Sequence, residues 1–369
     1  MTRKVKTSSG FSNIADRKIS NGNGTFTDVK RRVVKQNGVW ETVWERVSEE
    51  FKLTIDTRQT DAGLIGSTTT FSIPTSGVYA YDWNIDWGDG TVQRAIGTGS
   101  NTSAGITHTY ATGGQYQITI KPAGVASSWF RAFGFWSNTN GANVQTNKNK
   151  VVSLDTPLTV SMFATPGATI VANDVCRNMF YSCRGVNFAP GTGFGFDASW
   201  NNVTTVGNLF CSGMFQSCNG IAFTMNSVFN LPQSITTVGT NFCQQMFQSC
   251  NGSVFTMNSV FNLPQSITTF NECFCYQMFS YCVHDNFQVN SVFRFPCLSP
   301  QNLSVPDMFY QTFYCDISKA YSRQNVSITQ ILNGNSTPTD ARQTFTTYNA
   351  TQGANRWSDW SSVAANWKS

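Results

Sequence analysis

Eleven cysteines and a recurring Cys-x-x-Met-Phe-x-x-Cys pattern are the features of this 369-residue chain whose types and spacing could do chemistry. The pattern comprises Cys176, Met179, Phe180 and Cys183; Cys211, Met214, Phe215 and Cys218; Cys243, Met246, Phe247 and Cys250; and Cys275, Met278, Phe279 and Cys282. Thiolates could ligate zinc, but zinc sites draw on close Cys-x2-4-Cys pairs, and Cys273-x-Cys275 alone does not supply them. A disulfide inside one copy is excluded on a helix, because positions seven apart lie roughly 10 Å apart and a bridge needs Cα atoms within about 7 Å. Bridges between copies stay open, while a chain made in the cytoplasm favours buried free thiols acting as small hydrophobes.

Other reactive types are sparse. Asp86 and Asp89, in Ile85-Asp86-Trp87-Gly88-Asp89-Gly90-Thr91, are weak calcium candidates, since hard carboxylate oxygens could hold that ion with backbone carbonyls. The favoured reading is a carboxylate-capped tight turn, with Gly88 and Gly90 free to take unusual φ. His108 and His284 stand in unrelated contexts, and His108 is expected to hydrogen-bond inside a β-sandwich. No Ser or Cys nucleophile has a recognisable base nearby, and no glycine-rich phosphate loop opens a helix. An enzyme is not expected, and neither a cofactor nor a catalytic residue is named. Paired carboxylates for glycoside hydrolysis would meet only in the fold. No ligand-binding residue is legible.

The elements that position these residues follow from their period. The four copies recur at intervals of 35, 32 and 32 residues, with a fifth, degenerate copy at Tyr310-Gln311-Thr312-Phe313-Tyr314-Cys315. Residues 214–237 and 246–269 agree at 22 of 24 positions. Fixed periods of this length mean stacked units, none able to bury its apolar face alone. Within a copy, Cys, Met, Phe and Cys form an i, i+3, i+4, i+7 stripe, which predicts a two-turn amphipathic helix. Asn219-Gly220 and Asn251-Gly252 then supply a left-handed stop. The β-branched run Ser234–Val238 predicts a strand stacking on Ser266–Phe270. This unit resembles the BspA-type leucine-rich repeats, whose units end in a Met-Phe-x-x-Cys helix. The resemblance implies an α/β solenoid over 170–316, closed by a capping segment at 317–369. There Thr339–Phe345 reads as a capped helix, and Trp357, Trp360 and Trp367 as core aromatics.

Upstream, strand signals fall at Phe51–Asp56, Thr68–Ile73, Tyr79–Asp86, Thr91–Ile96 and Tyr116–Ile120, punctuated by Gly and Pro as in a small antiparallel sandwich. The Asp86–Thr91 segment, followed by His108-Thr109-Tyr110 and Gly113-Gly114-Gln115-Tyr116, resembles the signature pair of the polycystic kidney disease (PKD) domain. That resemblance implies an immunoglobulin-like sandwich over 50–122. Residues 123–169 form an aromatic transition, with Trp129–Trp136 expected to close one module against the next. Val151–Leu154 is expected as the first rung of the repeats.

Residues 1–49 differ in character. Nine Lys/Arg against two Asp give residues 1–36 a local charge of +7, within a chain of net +5. Asn37-Gly38 between two β-prone runs predicts a two-residue hairpin with Trp40, Thr42 and Trp44 on one face. A lone hairpin is marginal in water, so it needs a partner surface. Gln36–Val43 resembles short segments of phage minor structural proteins. Only 12% of residues are charged, yet Phe occurs 29 times and Trp 10 times, which excludes a disordered chain. No apolar stretch follows the basic start and no run of about 18 apolar residues occurs, so a cytoplasmically made chain without a membrane span is expected.

These readings converge on a mainly β chain with short helices that serves as a phage virion component, a tail, baseplate or head-fibre protein. Arg31, Arg32, Trp40 and Trp44 would attach it to other virion proteins. The sandwich and solenoid would be displayed toward a host-surface protein or glycan, as part of a homo-oligomeric assembly. Nucleic acid is not the expected partner. Alternatives are a purely architectural capsid or tail decoration protein, and a bacterial surface adhesin.

Overall fold

The computed structural model describes 49–64, 68–124, 128–136, 140–282, 287–297, 308–313, 326–333, 344–345, 357, 359–362, 364 and 367; before residue 49 it describes strand backbones only. The chain divides into two compact units, Met1–Glu49 and Glu50–Ser369. It is mainly β, with two α-helices of four and five residues among the described residues.

The first unit holds three antiparallel pairs. Strand β1 (Lys4–Thr7) pairs with β2 (Gly10–Asn13), β3 (Lys18–Ser20) with β4 (Phe26–Asp28), and β5 (Arg31–Gln36) with β6 (Val39–Glu45). In the last pair Gln36 faces Val39, so the connection is the expected two residues. A bulge between Arg32 and Val33 shifts the register farther along.

In the second unit, β7 (Phe51–Asp56), β9 (Ala80–Asp86), β10 (Val92–Thr98), β12 (Gln115–Pro122) and β13 (Val151–Leu154) form an antiparallel sheet in the order β10-β9-β12-β7-β13. Strands β8 (Thr70–Ile73) and β11 (Ile106–Thr109) form a second, two-stranded sheet. Alternation places Phe51, Leu53 and Ile55 of β7 inward, with Trp83, Ile85, Ile118 and Ile120 completing a fully buried core. The expected strands are present, while β11 had not been anticipated. Val151–Leu154 is not the first rung of the repeats: it runs antiparallel to β7, with Leu154 opposite Leu53. The edge of β7 offered unpaired backbone groups, and both Val151 and Leu154 are buried against the sandwich.

The repeats begin instead at β14 (Ile170–Val171), which pairs in parallel with β15 (Thr205–Val206); β15 pairs with β16 (Thr237–Val238), and Thr237 bridges Thr269. Each strand contributes two residues, shorter than the β-branched runs suggested. Successive copies are also joined through their Cys-Met-Phe-Cys segments, and here the expected helix is absent. The segment is a chain of tight turns with left-handed residues at Cys211, Gly213 and Ser217, recurring at Cys243, Gln245 and Ser249. Alternate N–H groups stay inside the copy, from Met214 to Cys211 O and from Gln216 to Gly213 O. The others reach the next copy, from Gly213 to Gln244 O (2.8 Å), Phe215 to Met246 O (2.9 Å) and Ser217 to Gln248 O (2.7 Å).

Magnitudes explain why turns win. A left-handed residue costs roughly 1–2 kcal/mol. Each inter-copy hydrogen bond returns about 1 kcal/mol, and each ring buried against its neighbours about 2 kcal/mol more. A helix would turn its N–H groups beyond the first four back into the copy and leave this segment unlinked to the next copy. The same residues still face inward. Phe180, Phe215, Phe247, Phe279, Phe313 and Phe345 form one column, with successive centroids 5.3–5.8 Å apart and planes within 20°. Phe188, Phe223, Phe255 and Phe287 form a second column, and Phe194, Phe229, Phe261 and Phe293 a third. Gly220 and Gly252 do not end helices through positive φ; each lies against the preceding copy's glycine carbonyl, Gly185 and Gly220, where a Cβ would collide.

Both ends of this array are covered. Phe135 bridges Phe180 in parallel and donates its N–H to Met179 O (3.3 Å), the bond that Phe180 makes to Met214 O (2.9 Å). The aromatic transition thus supplies the row before the first copy, and one continuous core runs from the sandwich into the repeats. At the other end Phe345 stacks on Phe313 and meets Trp357 edge-on, with Trp357 and Trp367 both buried. Helix α1 (Gln145–Lys148) sits before β13, and α2 (Ile328–Leu332) begins with a Ser327/Gln330 capping box.

Candidate functional site

The Asp86–Thr91 turn is built as its sequence suggested. Gly88 and Gly90 hold φ of +80° and +89°, and Trp87 N–H donates to Thr91 O (3.0 Å). Asp86 Oδ1 accepts from Gly88 N–H (3.0 Å), and Asp89 Oδ1 from Thr91 N–H (2.9 Å). The second Asp89 oxygen lies 2.8 Å from His108 Nε2. His108 stacks on Trp87 and meets Tyr110 edge-on, while Tyr110 Oη donates to Trp87 O (3.1 Å). Burial works to raise the Asp89 carboxyl, but hydrogen bonds from His108 and Thr91 outweigh it and hold the group below the usual range. One Asp89 oxygen is thus committed to closing the turn and the other to fastening β11 to it. Among the described residues no group of three His, Cys, Asp or Glu is placed to hold a metal. His284 lies outside the described residues.

All sixteen residues of the Cys-Met-Phe-Cys pattern are buried. The ten described cysteines carry free thiols. Cys218, Cys250 and Cys282 each donate to the carbonyl of Phe180, Phe215 and Phe247 in the preceding copy, at 3.0–3.1 Å. Burial pushes the thiols of Cys176, Cys211, Cys218, Cys250 and Cys275 well up, and that of Cys243 to about 11. Such thiols are poor nucleophiles and poor metal ligands, so their chemistry here is packing.

Side chains that sequence reasoning did not single out tie the copies together. Asn226 Nδ2 donates to Phe194 O (2.8 Å), Asn258 Nδ2 to Phe229 O (2.6 Å) and Asn290 Nδ2 to Phe261 O (2.9 Å). Each Asn Oδ1 also accepts from the backbone two and three residues on. Gln245 donates to Gln277 and Gln277 to Gln311 along another row. The signal for both rows was their recurrence every 32–34 residues in uncharged polar types.

Three lateral surfaces result. One shows Thr204 and Thr205, Thr236 and Thr237, Thr268 and Thr269; a second shows the glutamine row; a third leaves Val228, Val260 and Val292 exposed by 54%, 41% and 42%. In the first unit, Arg32 pairs opposite Trp44, Lys35 opposite Trp40 and Arg31 opposite Glu45. The side chains of Arg31, Arg32, Trp40 and Trp44 lie outside the described residues. Trp357 and Trp367 belong to the core, as expected of them. Among the described residues no helix is long and apolar enough to cross a membrane. Comparisons with protein-family models, curated proteins and solved structures gave no match.

Proposed function

We propose that this chain is a structural component of a bacteriophage particle, a tail, baseplate or head-fibre protein. In this reading residues 1–49 mount it on other virion proteins, and an immunoglobulin-like sandwich followed by a repeat solenoid is displayed for host-surface contact. The observation that carries it is the division into a small β unit and a large unit whose repeat array is hydrogen-bonded from end to end and covered at both ends. With the ends of the array occupied by the aromatic transition and the C-terminal tryptophans, only its lateral faces are available to a partner. Those faces are dominated by uncharged residues and are repeated and preorganised, which suits recognition of a repetitive surface at low ordering cost. The basic, hairpin-bearing first unit supports attachment, where its charges add orientation more than affinity.

The test is incorporation into purified particles of the full chain, of a chain lacking residues 1–49, and of residues 1–49 fused to a neutral reporter. The fusion should enter particles and the truncated chain should not. Entry of the truncated chain at the wild-type level, with exclusion of the fusion, refutes the attachment reading. Binding of the full protein to host cells separates a receptor-binding component from a purely architectural one.

A further inference from the structure

The seam between sandwich and first repeat copy holds a cleft of about 130 Å³ that the proposed function does not use. Two arginines converge there, each laid on an aromatic ring: Arg131 Cζ lies 3.9 Å from the Tyr79 ring centroid and Arg177 Cζ 4.4 Å from that of Trp136. Asp174 neutralises one of them, accepting from Arg177 Nη1 (2.9 Å) and from Tyr79 Oη (2.7 Å). Arg131 has no carboxylate within ion-pair distance among the described residues, and its Nη2 donates to Asn173 O (2.9 Å). Its Nε is buried and without a hydrogen-bond partner. A guanidinium has five N–H donors in a fixed fork, and a buried one left unmade is costly. The cleft therefore carries one positive charge without an ion-pair partner, beside apolar ring edges, within a volume suited to one small ring.

We infer that this cleft binds an oxyanion carried on a sugar-sized molecule, the carboxylate of an acidic sugar or the phosphate of a sugar phosphate. The stacked rings hold both guanidinium planes in place before the ligand arrives, so little rotamer entropy is lost on binding. Charge-assisted hydrogen bonding by Arg131 supplies selectivity over neutral sugars. The assignment rests on the cleft alone and stands whether or not the protein is mounted on a particle.

Full-length protein is titrated with glucuronate, glucose 1-phosphate and glucose, with heat of binding as the readout. One or both acidic sugars should bind at a single saturable site and glucose should not; which of the two binds identifies the source of the oxyanion. Arg131→Gln should weaken that binding about tenfold or more. Asp174→Asn, which removes a competing negative charge, should tighten it. Absence of acidic-sugar binding, equal binding of glucose, or unchanged affinity in a folded Arg131→Gln protein overturns the assignment. Should Arg131→Gln fail to fold, Asp174→Asn decides, and unchanged or weaker binding there overturns it as well.

Discussion

At the residue scale, the cysteines do what their burial allows. A thiol held in an apolar interior and donating to a backbone carbonyl keeps its proton and reacts slowly. Brief alkylation of the native protein at pH 8, mapped by mass spectrometry, should therefore label exposed Cys297 and spare the eight motif cysteines, all of which should label after denaturation without reductant. Fast native labelling of Cys218 or Cys250 would contradict the packing. Asp89 makes the complementary prediction. Its folded carboxyl sits below its unfolded value, so its contribution is complete above about pH 4 and is lost as pH falls through the folded value. Asp89→Asn should cost on the order of 1 kcal/mol at pH 7 in urea unfolding, and the gap to the unsubstituted protein should close as pH falls below about 4. A gap constant from pH 7 to pH 2 would show that the carboxylate charge plays no part.

The element scale is where local pattern and observed backbone separate. The Cys-x-x-Met-Phe-x-x-Cys spacing fits an α-helix and also fits a chain of turns that brings the same four side chains inward. The choice falls to hydrogen bonds that one copy cannot make alone. Because Met246 onward repeats Met214 onward, deleting residues 214–245 removes one complete copy and rejoins matching partners: Phe180 would stack on Phe247 and Asn258 would take the place of Asn226. That deletion should leave a folded protein with a single cooperative unfolding transition. Loss of cooperativity, or a collapsed state that binds hydrophobic dye, would refute the modular reading of the copies. The sequence also holds one copy more than its cysteines reveal. Gln343-Thr344-Phe345 repeats Gln311-Thr312-Phe313 after 32 residues, and Phe313 N–H donates to Thr344 O as Phe279 N–H does to Thr312 O. The copy escapes a search keyed on Cys and Met because it retains only the ring and its neighbour.

For the whole molecule, the consequence is that sandwich, array and C-terminal segment protect one another. A column of stacked rings ends in an exposed aromatic face unless something covers it. Phe133 and Phe135 cover the first end, and Trp357 and Trp367 the last. Removing residues 346–369 takes away both tryptophans and leaves the outer side of Phe345 and one edge contact of Phe313 open to water. At about 3 kcal/mol or more for each lost core aromatic, the melting temperature should drop by on the order of 10 °C, with new dye binding. An unchanged melting curve would mean that the terminal segment contributes no cap.

The amino-acid order by itself determined the period, the inward-facing residues, five of the six strands between residues 50 and 122 and the Asp-Gly turn, because each of these depends on side-chain type at short range. Gly88 and Gly90 take positive φ since the turn demands it, and Phe51, Leu53 and Ile55 alternate because a pleated strand must. What only the tertiary structure decided is where backbone groups find partners across long separations. Val151–Leu154 joins the sandwich because β7 had an open edge beside it. Gly213 and Ser217 turn left-handed because the next copy offers carbonyls to their N–H groups, as Val175 O of the preceding copy does to Cys211. Arg131 and Arg177 meet in one cleft because the sandwich docks on the first copy, bringing Tyr79 and Asp174 together across 95 residues. No local pattern encodes such pairings, since their free energy exists only once both partners are in place.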